Sequence, residues 1–153
     1  MTLPILTLFS PLAVLAVALL AMRQTGRRPG NLPRITEYAT VAALILAIGG
    51  VVQLIASGPA TLTAGNGLFA IRLDAVSATM TLLVAFVGWI VVRYSRSYMD
   101  GEAREGVFLG WILAGLGGVL VLVQAGNMVV LIAAFIAVGI AMRQLLLFYA
   151  ERP

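Results

Sequence analysis

Five stretches of the chain are continuously apolar, and polar residues gather between them. They run from Leu3 to Met22, Ala39 to Ala56, Ala75 to Val92, Val107 to Val123 and Met128 to Phe148. A helix needs about 20 apolar residues to cross ~30 Å of hydrocarbon at ~1.5 Å per residue, and every run reaches or approaches that length. None alternates with period two, as the strands of a membrane barrel would. The pattern predicts an all-α membrane protein with five transmembrane helices in a single membrane domain, residues 1–153. Pro4 falls in the first turn of the first span, where it is tolerated, whereas Pro11 removes an internal hydrogen bond and is expected to bend that helix. No basic residue precedes the first run and no cleavage context follows it, so it reads as a retained span rather than a secretory signal.

The link from Ser57 to Asp74 has a pattern of its own. Ala60 to Thr63 and Leu68 to Leu73 are β-compatible and flank Ala64-Gly65-Asn66-Gly67, a strong turn signal. A short β-hairpin between helices two and three is expected, either lying across a neighbouring subunit by its open edge or folding as a compact loop.

Composition narrows the function. Of 153 residues, 61% are apolar and 10% charged, with a mean hydropathy of +1.06. Soluble domains carry about a quarter charged residues, so a water-soluble enzyme is excluded. There is no lysine, histidine or cysteine. Imidazole acid-base chemistry, thiol chemistry and the usual metal ligands are therefore missing, and no catalytic residue, metal site or cofactor is expected in this chain. Asp100-Gly101-Glu102 reads as a solvated turn.

The ten arginines lie between the spans rather than in one basic patch, which argues for membrane topology and against nucleic acid. Arg23, Arg27, Arg28 and Arg34 fall in one loop, Arg93, Arg96 and Arg104 in another, and Arg143 and Arg152 near the carboxyl end. With the amino terminus outside and the carboxyl terminus in the cytoplasm, only Arg72 lies outside, so the positive-inside rule selects this orientation. Trp89, Tyr94 and Tyr98 suit the interfacial aromatic belt.

Helices in lipid associate through close backbone approach and polar contacts. Gly110, Ala114 and Gly118 recur every four residues in span four, and Ala133, Ala137 and Ala141 do so in span five. These stripes, with Gly49 and Gly50 in span two, are the expected packing faces, within the chain or toward another subunit. Gln53 and Thr79 are the main polar side chains expected inside the first four spans, both in helix packing. Asp74 and Asn127 stand where an N-cap would serve spans three and five. Arg143, about 7 to 8 Å from the end of span five, either snorkels to the interface or, with Gln144, places a fixed charge beside an ion path.

Leu73 to Glu102 reads LDAVSATMTLLVAFVGWIVVRYSRSYMDGE and is followed by FLGWILAGLGGVLVLVQAGNMVVLIAAF and LLLFYAERP. These strings resemble the amino-terminal part of the complex I chain 5, or subunit L, family, which includes Mrp-type antiporter subunits. The LD-x-x-S-x-x-M and Y-S-x-x-Y-M patterns together carry the likeness. The resemblance implies a glutamate in the fifth span, within a Trp-Glu pair about nine positions after an asparagine matching Asn127. Phe135 and Ile136 stand there instead, so the proton-relay position is lost at Ile136. RYSRSYMDGE and QLLLFYAERP resemble the DabB-type membrane subunit of bacterial inorganic-carbon transporters. Where that type closes span five with a histidine, this chain has Arg143, a charge that does not titrate near neutrality.

The resemblance implies a non-enzymatic subunit of the bacterial inner membrane that supports cation-coupled CO2 or bicarbonate uptake, anchoring or completing an ion path without its own relay. Its expected partners are the lipid bilayer, a larger antiporter-like membrane subunit, and a soluble DabA-like subunit resembling a β-carbonic anhydrase, which would hold any zinc. The alternatives are a subunit of an NADH dehydrogenase or Mrp-type complex, an independent small oligomeric transporter using Arg143, and a truncated relative without transport.

Overall fold

A computed structural model describes residues 4–23, 31–98, 104–148 and 150. Arg27, Arg28, the Asp100-Gly101-Glu102 turn and Arg152 lie outside the described residues. Five helices and one hairpin follow in the predicted order. The helices are α1 (Pro4–Arg23), α2 (Leu32–Ser57), α3 (Ala75–Tyr98), α4 (Glu105–Gln124) and α5 (Met128–Leu147); β1 (Ala60–Ala64) and β2 (Phe69–Leu73) separate α2 from α3. α1 begins at Pro4 and continues as helix through Pro11.

Two helices outrun their apolar stretches. α2 starts seven positions before Ala39, and α3 ends six positions after Val92. Helical hydrogen bonding continues past the point where hydropathy falls, because Arg34, Glu37, Arg93 and Arg96 tolerate the helix and can reach the polar boundary. Glu37 pairs with Arg96 and lies 4.0 Å from Arg93, so these extensions of α2 and α3 are bound to each other.

Helices α1, α2, α3 and α4 form a closed ring in which each packs on two neighbours, while α5 packs chiefly on the outside of α4. The ring is filled by Val14, Ala18, Ala43, Ala47, Ala85, Val92, Leu113 and Leu120, all essentially inaccessible. Alanine is frequent here because no hydrophobic drive pulls helices together in lipid, and small side chains bring backbones within dispersion range. Much of the outer surface is apolar, including Ile45, Ile55, Phe86, Phe135 and Ile136. That distribution, with helices long and apolar enough to span a bilayer, is that of a membrane protein.

The hairpin pairs Ala60 with Leu73 through to Ala64 with Phe69, antiparallel. Gly65, Asn66 and Gly67 all have positive φ, the conformation that the Gly-Asn-Gly sequence makes accessible. Its free edge is partly taken up within the chain. Ala70 O accepts the Gly126 N–H at 2.7 Å, Ile71 bridges Ala125, and the Asn127 amide donates to the carbonyls of Gly67 and Leu68 at 2.8 and 2.9 Å. β2 therefore lies clamped over the α4–α5 turn, and the outer edge of β1 carries no further strand among the described residues.

Candidate functional site

A path for ions or protons requires polar or titratable side chains in series through the membrane, so the inward face of the ring is decisive. On α3 that face carries Ser77, Thr81, Ala85, Gly88, Val92 and Ser95. The buried polar residues of this face lie at its two ends; between them on α3 the indole Nε1 of Trp89 is buried without a hydrogen-bond partner among the described residues. From Thr81 to Ser95 the helix rises about 21 Å without a polar side chain among its buried positions. The facing residues are the apolar core already described. The four-helix ring is therefore sealed at its middle.

At the hairpin end a small buried polar layer remains. Thr81 Oγ1 donates to Ser77 O at 2.7 Å, and Gln124 Nε2 donates to Thr81 Oγ1 at 3.3 Å. Gln124 is 1% exposed, and its Oε1 has no hydrogen-bond partner among the described residues; the Oε1 of buried Gln53 is likewise unpaired there. Gln53 thus lies in the bundle as expected, whereas Thr79 is exposed and only back-bonds to Ala75 O at 2.7 Å. Gln124 and Thr81 were not anticipated. Gln124 lies one residue beyond the apolar run, and the available signal for Thr81 was its spacing of four from Ser77.

Above this layer Asp74 caps α3. Its Oδ1 accepts the Ser77 N–H at 2.7 Å, and Arg72 Nε donates to Oδ2 at 2.6 Å. The Ser77 amide, and then the Arg72 guanidinium, hold the Asp74 carboxyl below its usual range. Asn127 caps α5 through Val130 N–H to Oδ1 at 2.9 Å while its amide nitrogen grips the hairpin. One side chain thus fixes both the start of α5 and the turn.

At the opposite end, buried Thr36 and Thr40 return their hydroxyls to Pro33 O and Glu37 O at 2.8 Å each. Arg93 lies 5.7 Å from the Trp89 ring centre, and Arg104 5.0 Å from that of Phe148. Arg143 is exposed on the last turns of α5 and makes no ion pair among the described residues; Gln144 beside it is half-buried. Among the described residues no polar side chain joins this pair to the interior. Ile136 is 56% exposed on the outward face of α5.

The structure places the small-residue stripes in different surroundings. At Gly110 an added Cβ would meet Met22 Cγ at 2.7 Å and Ala18 O at 3.2 Å, so α1 and α4 touch there. At Gly118 it would meet Val138 Cγ2 at 2.8 Å, and Ala114 beside this row is half-buried. On α5, however, Ala133 and Ala137 are exposed, and the helix turns Val130, Ala134 and Ala141 toward α4. Residues 133, 137 and 141 and residues 130, 134 and 141 are neighbouring rows of one helix. The row containing Val130 and Ala134 faces Gly118, so only Ala141 of the predicted stripe packs within the chain. Gly49 meets nothing within 4 Å and forms no close approach.

Comparison with known proteins shows what the chain resembles. Residues 64–109, from the hairpin turn through α3 into α4, match the family model described as NADH-ubiquinone oxidoreductase (complex I), chain 5 N-terminus. These residues carry the sequence pattern of that family's amino-terminal region. It is similar to the probable inorganic carbon transporter subunit DabB2 of Halothiobacillus neapolitanus, with 30% identity over 97% of this chain and 29% of the relative. It is also similar to the probable inorganic carbon transporter subunit DabB of Hydrogenovibrio crunogenus, with 36% identity over 50% of this chain and 15% of the relative. NADH-quinone oxidoreductase subunit L of Escherichia coli is 31% identical over 97% of this chain and 25% of its own length. The chain thus spans under a third of the length of the curated relatives it matches. The matched region includes the Asp74 cap and the inward face of α3.

Proposed function

We propose that the chain serves as a membrane subunit of a DabB-like assembly, supporting cation-coupled uptake of inorganic carbon without a proton relay of its own. The observation that carries this reading is the sealed ring. Polar side chains on the inward face of α3 stop at Thr81 and resume at Ser95. The position where the family resemblance expects the fifth-span acid is Ile136, on the outward face of α5. An acid there would face away from the ring, toward whatever covers α5 in the assembly. The chain supplies an anchored scaffold, and the titrating groups belong to other spans or subunits. The similarity to DabB2 over nearly the whole chain favours a carbon-transport assembly with a carbonic-anhydrase-like soluble partner, and any zinc resides in that partner. Arg143 and Gln144 then act at the cytoplasmic interface, with the amino terminus outside.

The comparable similarity to subunit L favours a second reading, membership of a respiratory NADH dehydrogenase. Affinity purification from native membranes in mild detergent separates the two. Recovery of a large soluble zinc protein supports the first, and recovery of the NADH-oxidising subunits supports the second. A solitary monodisperse chain that transports by itself overturns both.

A further inference from the structure

Two helices stand out of the bilayer at the end opposite the hairpin. The apolar runs 39–56 and 75–92 are 18 residues each, about 27 Å of helix, so they fill most of the ~30 Å of hydrocarbon by themselves. Residues 32–38 of α2 and 93–98 of α3 are surplus to that span and carry the two helices about 10 and 9 Å farther. A headgroup layer is only ~5 to 8 Å deep, so both tips reach water. The other described helices do not: α1 ends one residue after Met22, α4 begins two residues before Val107, and α5 ends inside its apolar run. We propose that the paired tips of α2 and α3 are the platform on which a water-soluble protein partner docks through an acidic face.

The platform is organised before anything binds. Glu37 of α2 pairs with Arg96 of α3 and lies 4.0 Å from Arg93, and the buried Thr36 and Thr40 hydroxyls are taken by carbonyls of α2 itself. Two helices joined in this way have little freedom left to lose on association, which removes one of the costs of docking.

Charge and depth select the occupant. Within residues 32–38 and 93–98, Arg34, Arg93 and Arg96 are opposed by Glu37 alone, a surplus of two positive charges. Arg34 and Arg93 are exposed, so an acidic surface complements them. Depth separates a protein from lipid phosphates. Tyr38, Arg93 and Tyr94 lie within ~3 Å of the apolar ends, at headgroup level, where lipid accounts for them. Ile35 and Tyr98 lie ~6 and ~9 Å beyond those ends and are 42% and 71% exposed. Tyr98 stacks on Tyr94 with ring centres 6.2 Å apart. An isoleucine and a stacked tyrosine ring this far out are beyond the hydrocarbon that would otherwise cover them. With guanidinium groups at their margin, they have the composition of a protein contact, apolar and aromatic anchors rimmed by arginine. The proposal rests on the soluble subunit of the DabB-like assembly and adds the surface that receives it.

The test places p-benzoylphenylalanine at position 35 or 98 of the full chain, irradiates native membranes and maps the crosslinked peptides, with position 135 on the outward face of α5 as the control. We expect positions 35 and 98 to label one and the same water-soluble protein, through peptides rich in Asp and Glu, several-fold above position 135. Raising the salt from ~0.05 to ~0.5 M before irradiation should lower the yield several-fold, because exposed charges are screened. Arg34→Glu combined with Arg93→Glu should do the same at low salt. The salt series keeps the native arginines, so it decides the matter even where that variant fails to fold. Adducts with lipid alone, adducts with a membrane-spanning chain, the absence of any protein adduct, or a yield indifferent to salt each overturn the proposal. A soluble subunit that co-purifies while its crosslinks avoid both positions overturns the docking surface and leaves the assembly standing; if none co-purifies, the assembly itself fails.

Discussion

Replacing Gly118 by alanine adds one methyl group at the contact that holds α5 to the ring. Its Cβ would stand 2.8 Å from Val138 Cγ2 and 3.5 Å from Val138 N. Carbon atoms rest at about 3.5 to 4.0 Å, so the methyl is too close by ~0.7 Å or more. Val138 is β-branched and nearly confined to one rotamer in a helix, which leaves displacement of α5 as the main relief. Overpacking of this kind costs ~1 to 3 kcal/mol, against a gain of up to ~1 kcal/mol for alanine over glycine within a helix. Gly49→Ala supplies the control, because nothing lies within 4 Å of that Cβ and only the propensity gain operates. The difference between the two variants should therefore be ~1 to 3 kcal/mol, with Gly118→Ala the less stable. Reversible unfolding in mixed micelles measures it, with amide exchange in α5 as a second readout. Equal stabilities within ~0.5 kcal/mol would refute the α4–α5 packing described here.

Asn127→Ala removes the α5 cap and both bonds to the hairpin, with an expected loss of ~1 to 2 kcal/mol and faster amide exchange at Leu68 and Ala70, measurable in detergent. Asp74 has a folded pKa below its unfolded value of 3.8, so its stabilisation is complete above that pH and is lost as pH falls through the folded value. Acid titration of unfolding should show this loss in the wild type and not in Asp74→Asn, which keeps a capping oxygen without the charge. Gln124→Leu removes a buried carbonyl oxygen that is unpaired among the described residues, along with the 3.3 Å bond from Nε2 to Thr81, while Thr81 keeps its bond to Ser77, so stability should stay level or rise by up to ~1 kcal/mol; a loss above ~2 kcal/mol would show that the amide oxygen has a partner.

The helices and the hairpin were legible because each rests on a one-dimensional property, apolar length for the former and Gly-Asn-Gly turn chemistry for the latter. The caps at Asp74 and Asn127 were equally legible, being local. Helix ends were less so: Arg34 and Arg93 lower the hydropathy without ending the helix, so α2 and α3 outrun their apolar cores. The packing face of α5 could not be read from small residues alone, because two neighbouring rows of that helix contain alanines and only the position of α4 chooses between them. Gln124 escaped for a related reason. A polar residue closing an apolar run looks interfacial, and its burial depends on the hairpin folding over the α4–α5 turn. The likeness to the complex I chain 5 amino terminus was readable in the strings from Leu73 to Glu102, all of which lie within the residues matched by the family model, 64–109.

Proton flux through liposomes containing the purified chain alone, followed with an internal pH-sensitive dye under an imposed gradient, tests the sealed ring most directly. The ring described here predicts acidification no faster than in empty vesicles, at either sign of membrane potential. Flux well above that background, reduced by substitution of a residue on the inward face such as Thr81 or Gln124, would contradict it.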